Sequence, residues 1–190
     1  MTDYTRTLPL IAALLLVSAC SSLPPATSTD SDWLMQGRIG LWMGDQQESS
    51  QIRWLQCGRD NSRIRLSGPM GVGGAEIISD RHGAELNYKG ETRRAQNAEQ
   101  LAAEIGWPVP VYALRYWLRG QAAPDSPLTA KVSPDGRLAH LEQLGWTLDF
   151  AHDANAREET LPKRVEARRQ DVRLKLLISS WSQASEECTK

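Results

Sequence analysis

Apolar residues recur at every second position along most of residues 33–179. From Trp33 to Met43 the alternate residues Trp33, Met35, Ile39, Leu41 and Met43 are apolar, with Gly37 among them. Gln36 and Arg38 face the other way, and Trp42 breaks the alternation. A period of two with one apolar side is the mark of a half-buried strand. Residues 51–57 repeat it with Ile52 and Trp54 opposite Arg53, and residues 62–67 with Ile64 and Leu66 opposite Arg63 and Arg65. Further strands are predicted over 75–79, 84–89, 129–133, 137–143, 146–151, 164–168 and 172–179. In the last, Val172, Leu174, Leu176 and Ile178 share a face, with Arg173 and Lys175 on the other. The turns Asp80-Arg81-His82-Gly83 and Pro134-Asp135-Gly136 and the tight Leu144-Gly145 link are short, so neighbouring strands run antiparallel. A sheet of about ten strands must curl to bury an apolar face. The pattern therefore predicts a mainly β domain, a barrel or a strongly curved half-barrel.

Two stretches have helical period instead. In NAEQLAAEIGW, Asn97 stands at the N-cap position and Gln100 three residues later, a capping-box arrangement. Leu101, Ile105 and Ala102 supply its apolar side, and Gly106 ends it. Residues 111–119 follow the turn Trp107-Pro108-Val109-Pro110 and are apolar around much of the circumference, through Val111, Leu114, Tyr116, Trp117 and Leu118. Gly120 stands where a C-terminal cap belongs. An open barrel mouth needs a cover, and these two helices are the candidates.

The front of the chain sets the address. Arg6, the apolar run from Leu8 to Val17 and the small Ser18-Ala19 make residues 1–19 a secretory signal peptide, too short for a spanning helix. The stretch Leu16-Val17-Ser18-Ala19-Cys20 resembles the lipobox of bacterial lipoproteins, in which Cys20 becomes the first mature residue and carries three acyl chains. In the enterobacterial sorting rule, Ser21 in place of Asp directs the product to the outer membrane, lipid-anchored on its periplasmic face. Residues 20–32 continue as SSLPPATSTDSD after the cysteine, a polar tether without periodicity, and residues 33–190 make one domain.

Charge and candidate chemistry narrow the function. The 22 basic and 23 acidic residues are spread along the chain, with no basic block to hold nucleic acid. His82, His140 and His152 have no metal-ligand spacing, so no metal is expected. His152-Asp153 lacks a Ser or Cys in a nucleophile elbow, and GVGG at 71–74 lacks the lysine of a phosphate loop. An enzyme is not expected. Cys57 falls in a strand and Cys188 in the polar ending SEECTK, and two separate thiols are favoured over a bond between them. Seven tryptophans suit a packed core or a greasy pocket, and the sequence does not separate the two.

Several blocks carry a resemblance. GWPVPVYALRYWLRG at 106–120 is similar to the most distinctive block of the LolB family of outer-membrane lipoproteins. RLAHLEQLGWTLDF at 137–150 and VRLKLLISSW at 172–181 are similar to that family's later strands, and GPMG at 68–71 resembles its Asn-Pro-Leu-Gly loop. The likeness runs in order through the whole mature domain. It implies an antiparallel sheet curved into an unclosed barrel, with helices as a lid over a hydrophobic cavity. It implies that the protein receives triacylated lipoproteins from the soluble periplasmic carrier LolA and places them in the outer membrane, without cofactor or nucleotide.

The same resemblance puts Met70, flanked by Pro69 and Gly71, at the tip of a membrane-insertion loop; the residue type alone equally allows Met70 to fold back on its sheet. The inward faces of the predicted elements nominate Met35, Ile52, Trp54, Ile64, Leu66, Tyr116, Trp117, Trp146, Leu176 and Trp181 as acyl-chain cavity residues. Two other functions stay open at this point. One is an outer-membrane lipoprotein that scaffolds another envelope complex and binds no lipid cargo. The other is an anchored periplasmic hydrolase, which would need convergent polar groups in a pocket.

Overall fold

In the computed structural model, residues 32–68, 74–153 and 161–189 are described. Eleven strands form one antiparallel sheet: β1 (Trp33–Met43), β2 (Gln46–Cys57), β3 (Asn61–Ser67), β4 (Gly74–Asp80), β5 (Gly83–Tyr88), β6 (Glu91–Ala95), β7 (Leu128–Val132), β8 (Leu138–Gln143), β9 (Trp146–Ala151), β10 (Arg164–Arg169) and β11 (Val172–Gln183). Their order is β6-β5-β4-β3-β2-β1-β11-β10-β9-β8-β7, so the first and last strands of the chain pair at the centre. β6 and β7 are the two edges and do not pair with each other. The barrel is unclosed, and residues 96–127 pass between the edges. That segment carries α1 (Ala98–Glu104) and α2 (Val111–Trp117), which lie against the apolar face. A short α3 (Ser185–Cys188) ends the described chain.

The predicted elements are present, and the differences have physical reasons. β6 reads ETRRA, with no apolar alternation to announce it. It is held by its ladder to β5 and by the Glu85–Arg94 pair at 2.8 Å. β2 begins at Gln46, not 51, because the hairpin with β1 continues through residues exposed on both faces. In α1, Asn97 caps as expected, its side chain accepting from the Gln100 amide at 3.0 Å. The Gln100 side chain returns to the amide of Gln96, one residue before the cap.

One irregularity in the central pair sets the inner face. The β1–β11 register shifts between Gln36 and Gly37. A Cβ on Gly37 would lie 2.3 Å from the Leu177 carbonyl oxygen, so only glycine allows the approach. The shift changes the phase of β11: Ile178 and Trp181, three residues apart, both turn inward, and Trp181 pairs with Met35. Trp42, which broke the alternation, lies on the outer face over Gly40, with the Arg173 guanidinium 4.9 Å from its ring.

The outer face is charged and cross-linked by ion pairs. Glu166 faces Arg168 at 3.0 Å and Arg173 and Lys175 at 3.5 Å. Asp149 takes the His140 ring at 2.9 Å and Arg168 at 2.8 Å. The His140 hydrogen bond, then partial burial opposing it, then Arg168, leave the Asp149 carboxyl below the ordinary carboxylate value.

One apolar patch interrupts this face. Leu34 and Leu55 point outward yet are buried, under Ala184 and the cysteines of a disulfide. Cys57 and Cys188 are bonded, with Cα atoms 5.5 Å apart, which corrects the expectation of two separate thiols. The sequence separation of 131 hid the proximity. Position 188 lies in α3, which the end of β11 delivers onto the β2 strand it is bonded to.

Cys188→Ser removes that staple and uncovers Leu34 and Leu55. A cross-link over so long a loop contributes about 2–4 kcal/mol, so the melting temperature should fall by roughly 5–15 °C, read by calorimetry with and without reductant; reductant should not shift the variant further. Asp149 gives a second expectation. A carboxylate with a depressed folded pKa stabilises above its unfolded value of about 4 and loses that contribution as pH falls below it. Asp149→Asn should therefore flatten the decline of the urea midpoint between about pH 4 and pH 2.

Candidate functional site

The concave face of the sheet and the two helices enclose one apolar interior. Met35, Ile52, Trp54, Ile64, Tyr116, Trp117, Trp146 and Leu176 are buried in a single cluster, and Leu66 and Trp181 pack half-buried against it. The structure thus brings all ten nominated residues together. They meet mostly as packed side chains. Met35, Trp117 and Leu176 have no exposed surface, and the Trp117 and Trp146 ring centroids lie 6.3 Å apart. A cleft of about 800 Å³ opens at the mouth of the half-barrel, and of the ten only Trp54 and Tyr116 border it. Trp181 borders a smaller cleft of about 300 Å³ beside Trp33 and Arg119. The other seven border neither. Met70, Pro69, Gly71 and Cys20 lie outside the described residues, as do residues 1–31 as a whole. The loop bearing Met70 joins residues paired in the sheet, Ser67 of β3 and Gly74 of β4.

The helices are held over the interior by packing and by a few polar contacts. On α2, Val111, Ala113, Leu114, Tyr116 and Trp117 are buried, and on α1, Ala98, Leu101 and Ala102. Gln143, at the end of β8, is buried and uses its whole amide. Its oxygen accepts from Trp117 Nε1 and from the Ala123 amide, both at 2.9 Å. Its nitrogen donates to the carbonyls of Ala123 at 2.7 Å and Ser126 at 3.4 Å. Trp107 Nε1, in the link between the helices, donates to Glu48 of β2 at 3.0 Å. Glu99 of α1 accepts the Tyr112 amide in the first turn of α2. Arg115 is stacked between Tyr112 and Tyr116, 5.0 and 4.7 Å from their ring centroids, and donates to the Arg59 carbonyl in the β2–β3 turn.

None of these pins was nominated from the sequence. Gln143 carried a signal, since it falls two residues after Leu141 on the inward phase of β8, where a polar side chain needs a buried partner. Glu48, Glu99 and Arg115 act across long sequence distances and carried none. The Trp146 and Trp181 ring nitrogens are buried without a hydrogen-bond partner, so the interior offers few polar groups.

His140 and His152 are accounted for in the same way. His140 sits on Asp149 on the outer face, and a ring nitrogen of His152 lies 3.0 Å from the Leu138 carbonyl oxygen. Among the described residues no group of three or more His, Cys, Asp or Glu is placed to hold a metal ion. An interior of this composition suits apolar surface and offers little to a polar ligand.

Comparison with known proteins places this geometry. Residues 31–181 match the family described as "Outer membrane lipoprotein LolB". The chain is 31% identical to the outer-membrane lipoprotein LolB of Francisella tularensis subsp. tularensis, covering 94% of this chain and 96% of that one. It is 31% identical to the protein of that name from Stutzerimonas stutzeri, over 88% and 90% of the two chains. With that from Pseudomonas aeruginosa it shares 35% identity over 78% and 73%. Among solved structures, a LolA superfamily protein from Nitrosomonas europaea has a similar fold, with a TM-score of 0.53, 12% identity, and 81% and 86% of the two chains covered.

Replacing Gln143 tests the pin that touches α2 and the following segment at once. Gln143→Leu strands the Trp117 and Ala123 donors in an apolar interior, and the expected loss is about 2–4 kcal/mol in urea unfolding. Hydrogen exchange should rise first at residues 117–126, ahead of the central strands.

Proposed function

Because the chain belongs to the LolB family and is an outer-membrane lipoprotein, we propose that it accepts acylated lipoproteins from a LolA-like periplasmic carrier, holds their acyl chains in its interior and releases them into the outer membrane. The observation that carries this reading is the pair of helices spanning the open side of the sheet over a predominantly apolar interior. Burying an acyl chain is worth about 0.8 kcal/mol per methylene, so three chains do not cross water unaided. They pass from one apolar cavity to another at a direct contact. The described interior is filled by its own side chains, so entry requires α1 and α2 to move off the sheet. Their polar pins are few, and the apolar contacts they give up are replaced by contacts with the acyl chains. Transfer then follows affinity, with this interior holding the chains better than the carrier does. Residues 20–32 are the tether, acylated at Cys20, and Met70 is the apolar tip that enters the bilayer at delivery.

A filled interior also suits the second reading, a lipid-anchored scaffold that carries no cargo. A transfer assay separates the two. A LolA-type carrier loaded with a labelled lipoprotein is mixed with the mature chain bearing Cys20→Ala, with and without liposomes. Label should move to the chain, and Met70→Glu should lower delivery to liposomes at least about tenfold, since a charge opposes entry of the tip into hydrocarbon, while uptake from the carrier is unchanged. No uptake from a competent carrier sinks the receptor reading and leaves the scaffold.

A further inference from the structure

The two free edges of the sheet are unlike. β6 reads ETRRA, its Arg93 is paired with Glu91 and with Glu104 of α1, and α1 packs over it. Charge and a covering helix are the devices that keep an edge from accepting another strand. β7 reads LTAKV, with no proline and a single charge, and four of its five residues are exposed. It bonds to β8 on one side and ends the sheet on the other. Leu128, Ala130 and Val132 face inward opposite Gln143, Leu141 and Leu138, all of which are buried. The apolar inner face therefore continues onto β7 and stops uncovered, with Leu128 40% and Val132 43% exposed. Leu128 also borders the 800 Å³ cleft, across from Arg59 and Asp60 of the β2–β3 turn. The open edge thus begins at the mouth of the cleft.

We infer that β7 is a docking edge for the extended peptide that follows the acylated cysteine of a cargo protein, which adds to the sheet as a twelfth strand. The inference rests on the reading that this chain takes acylated cargo. With the chains inside, the peptide leaves by the mouth and meets β7 at Leu128. This chain's own residues 21–32, SSLPPATSTDSD, show what such a peptide is: polar, small-residued and without helical period. Beyond Pro24 and Pro25, which have no N–H to donate, residues 26–32 can pair with an edge strand through main-chain N–H and C=O groups, which every non-proline residue carries. Backbone pairing therefore suits a receptor for many cargoes, and the added strand covers Leu128 and Val132.

The probe is a synthetic peptide of residues 20–32, triacylated at its cysteine and titrated below its micelle concentration against the mature chain bearing Cys20→Ala. Two further peptides carry N-methyl groups at alternate residues of 26–32, where no proline interrupts the pairing, one in each phase. One phase should weaken binding about tenfold, through loss of a few net hydrogen bonds, and the other should leave it unchanged. The β7 amides should gain protection from exchange with the unmodified peptide. Thr129→Pro and Ala130→Pro occupy the two phases of β7; the one whose amide points away from β8 should keep the far-ultraviolet spectrum and lower affinity to the same extent. If all three peptides bind alike and β7 exchange is unchanged, the edge inference fails while acyl binding stands. If no acylated peptide binds, the receptor reading fails and this inference with it. Protection of β7 that grows with protein concentration alone, alongside a dimer mass in sedimentation, assigns the edge to a second copy and overturns the inference.

Discussion

The architecture follows from one constraint: the sheet does not close. Eleven strands are enough to curl, and the curl gathers the inward side chains of every strand onto a concave face. With β6 and β7 unpaired, that face has an open side which something other than a strand must cover. The chain itself must travel from one edge to the other between Ala95 and Leu128, and both longer helices lie on that passage. Connectivity and cover are the same thirty-odd residues. A closed barrel would have its interior sealed by backbone hydrogen bonds. Here the seal is made of side-chain packing and a handful of side-chain hydrogen bonds, which yield at far lower free energy than a β-ladder.

The chemistry of the interior matches that seal. Trp117, Trp146, Met35 and Leu176 supply apolar surface, and Gln143 and Gln56 supply fully used amides near its ends. These buried polar groups hold turns and helices in place, while the cleft at the mouth is bordered by charged side chains such as Asp60, Asp80, Glu99 and Arg115. In the proposed function, acyl chains entering such a space would replace apolar neighbours by apolar neighbours, and the driving force would be the removal of the chains from water.

Legibility followed the range of the signal. Period-two alternation exposed the inward faces of β1, β2, β3, β9 and β11, and the Asn97 cap marked the start of α1, because these are statements about neighbours in the chain. β6 was illegible because only Ala95 meets the core and the strand is held by backbone pairing and ions. Leu34, apolar on the outward phase of β1, is covered by Ala184 and the disulfide that α3 brings over it, a contact the local alternation does not announce. The Gln143 and Arg115 contacts join segments that only the curl of the sheet brings together. Whether the tryptophans line space or fill it was likewise undetermined by their spacing: the inward phase says which side a ring is on, and the packing across the barrel says what it meets.

The bond between Cys57 and Cys188 bears on how the chain matures. The sequence holds three cysteines, an odd number in a compartment that oxidises thiols. Cys188 follows Cys57 by 131 residues, so Cys57 is exported well ahead of its proper partner, and Cys20 is the sulfur nearest to it along the chain. The proposed acylation of Cys20 would withdraw that sulfur from thiol exchange. Only one intramolecular pairing would then remain, and the proposed lipid anchor would double as the protecting group that makes oxidative folding unambiguous.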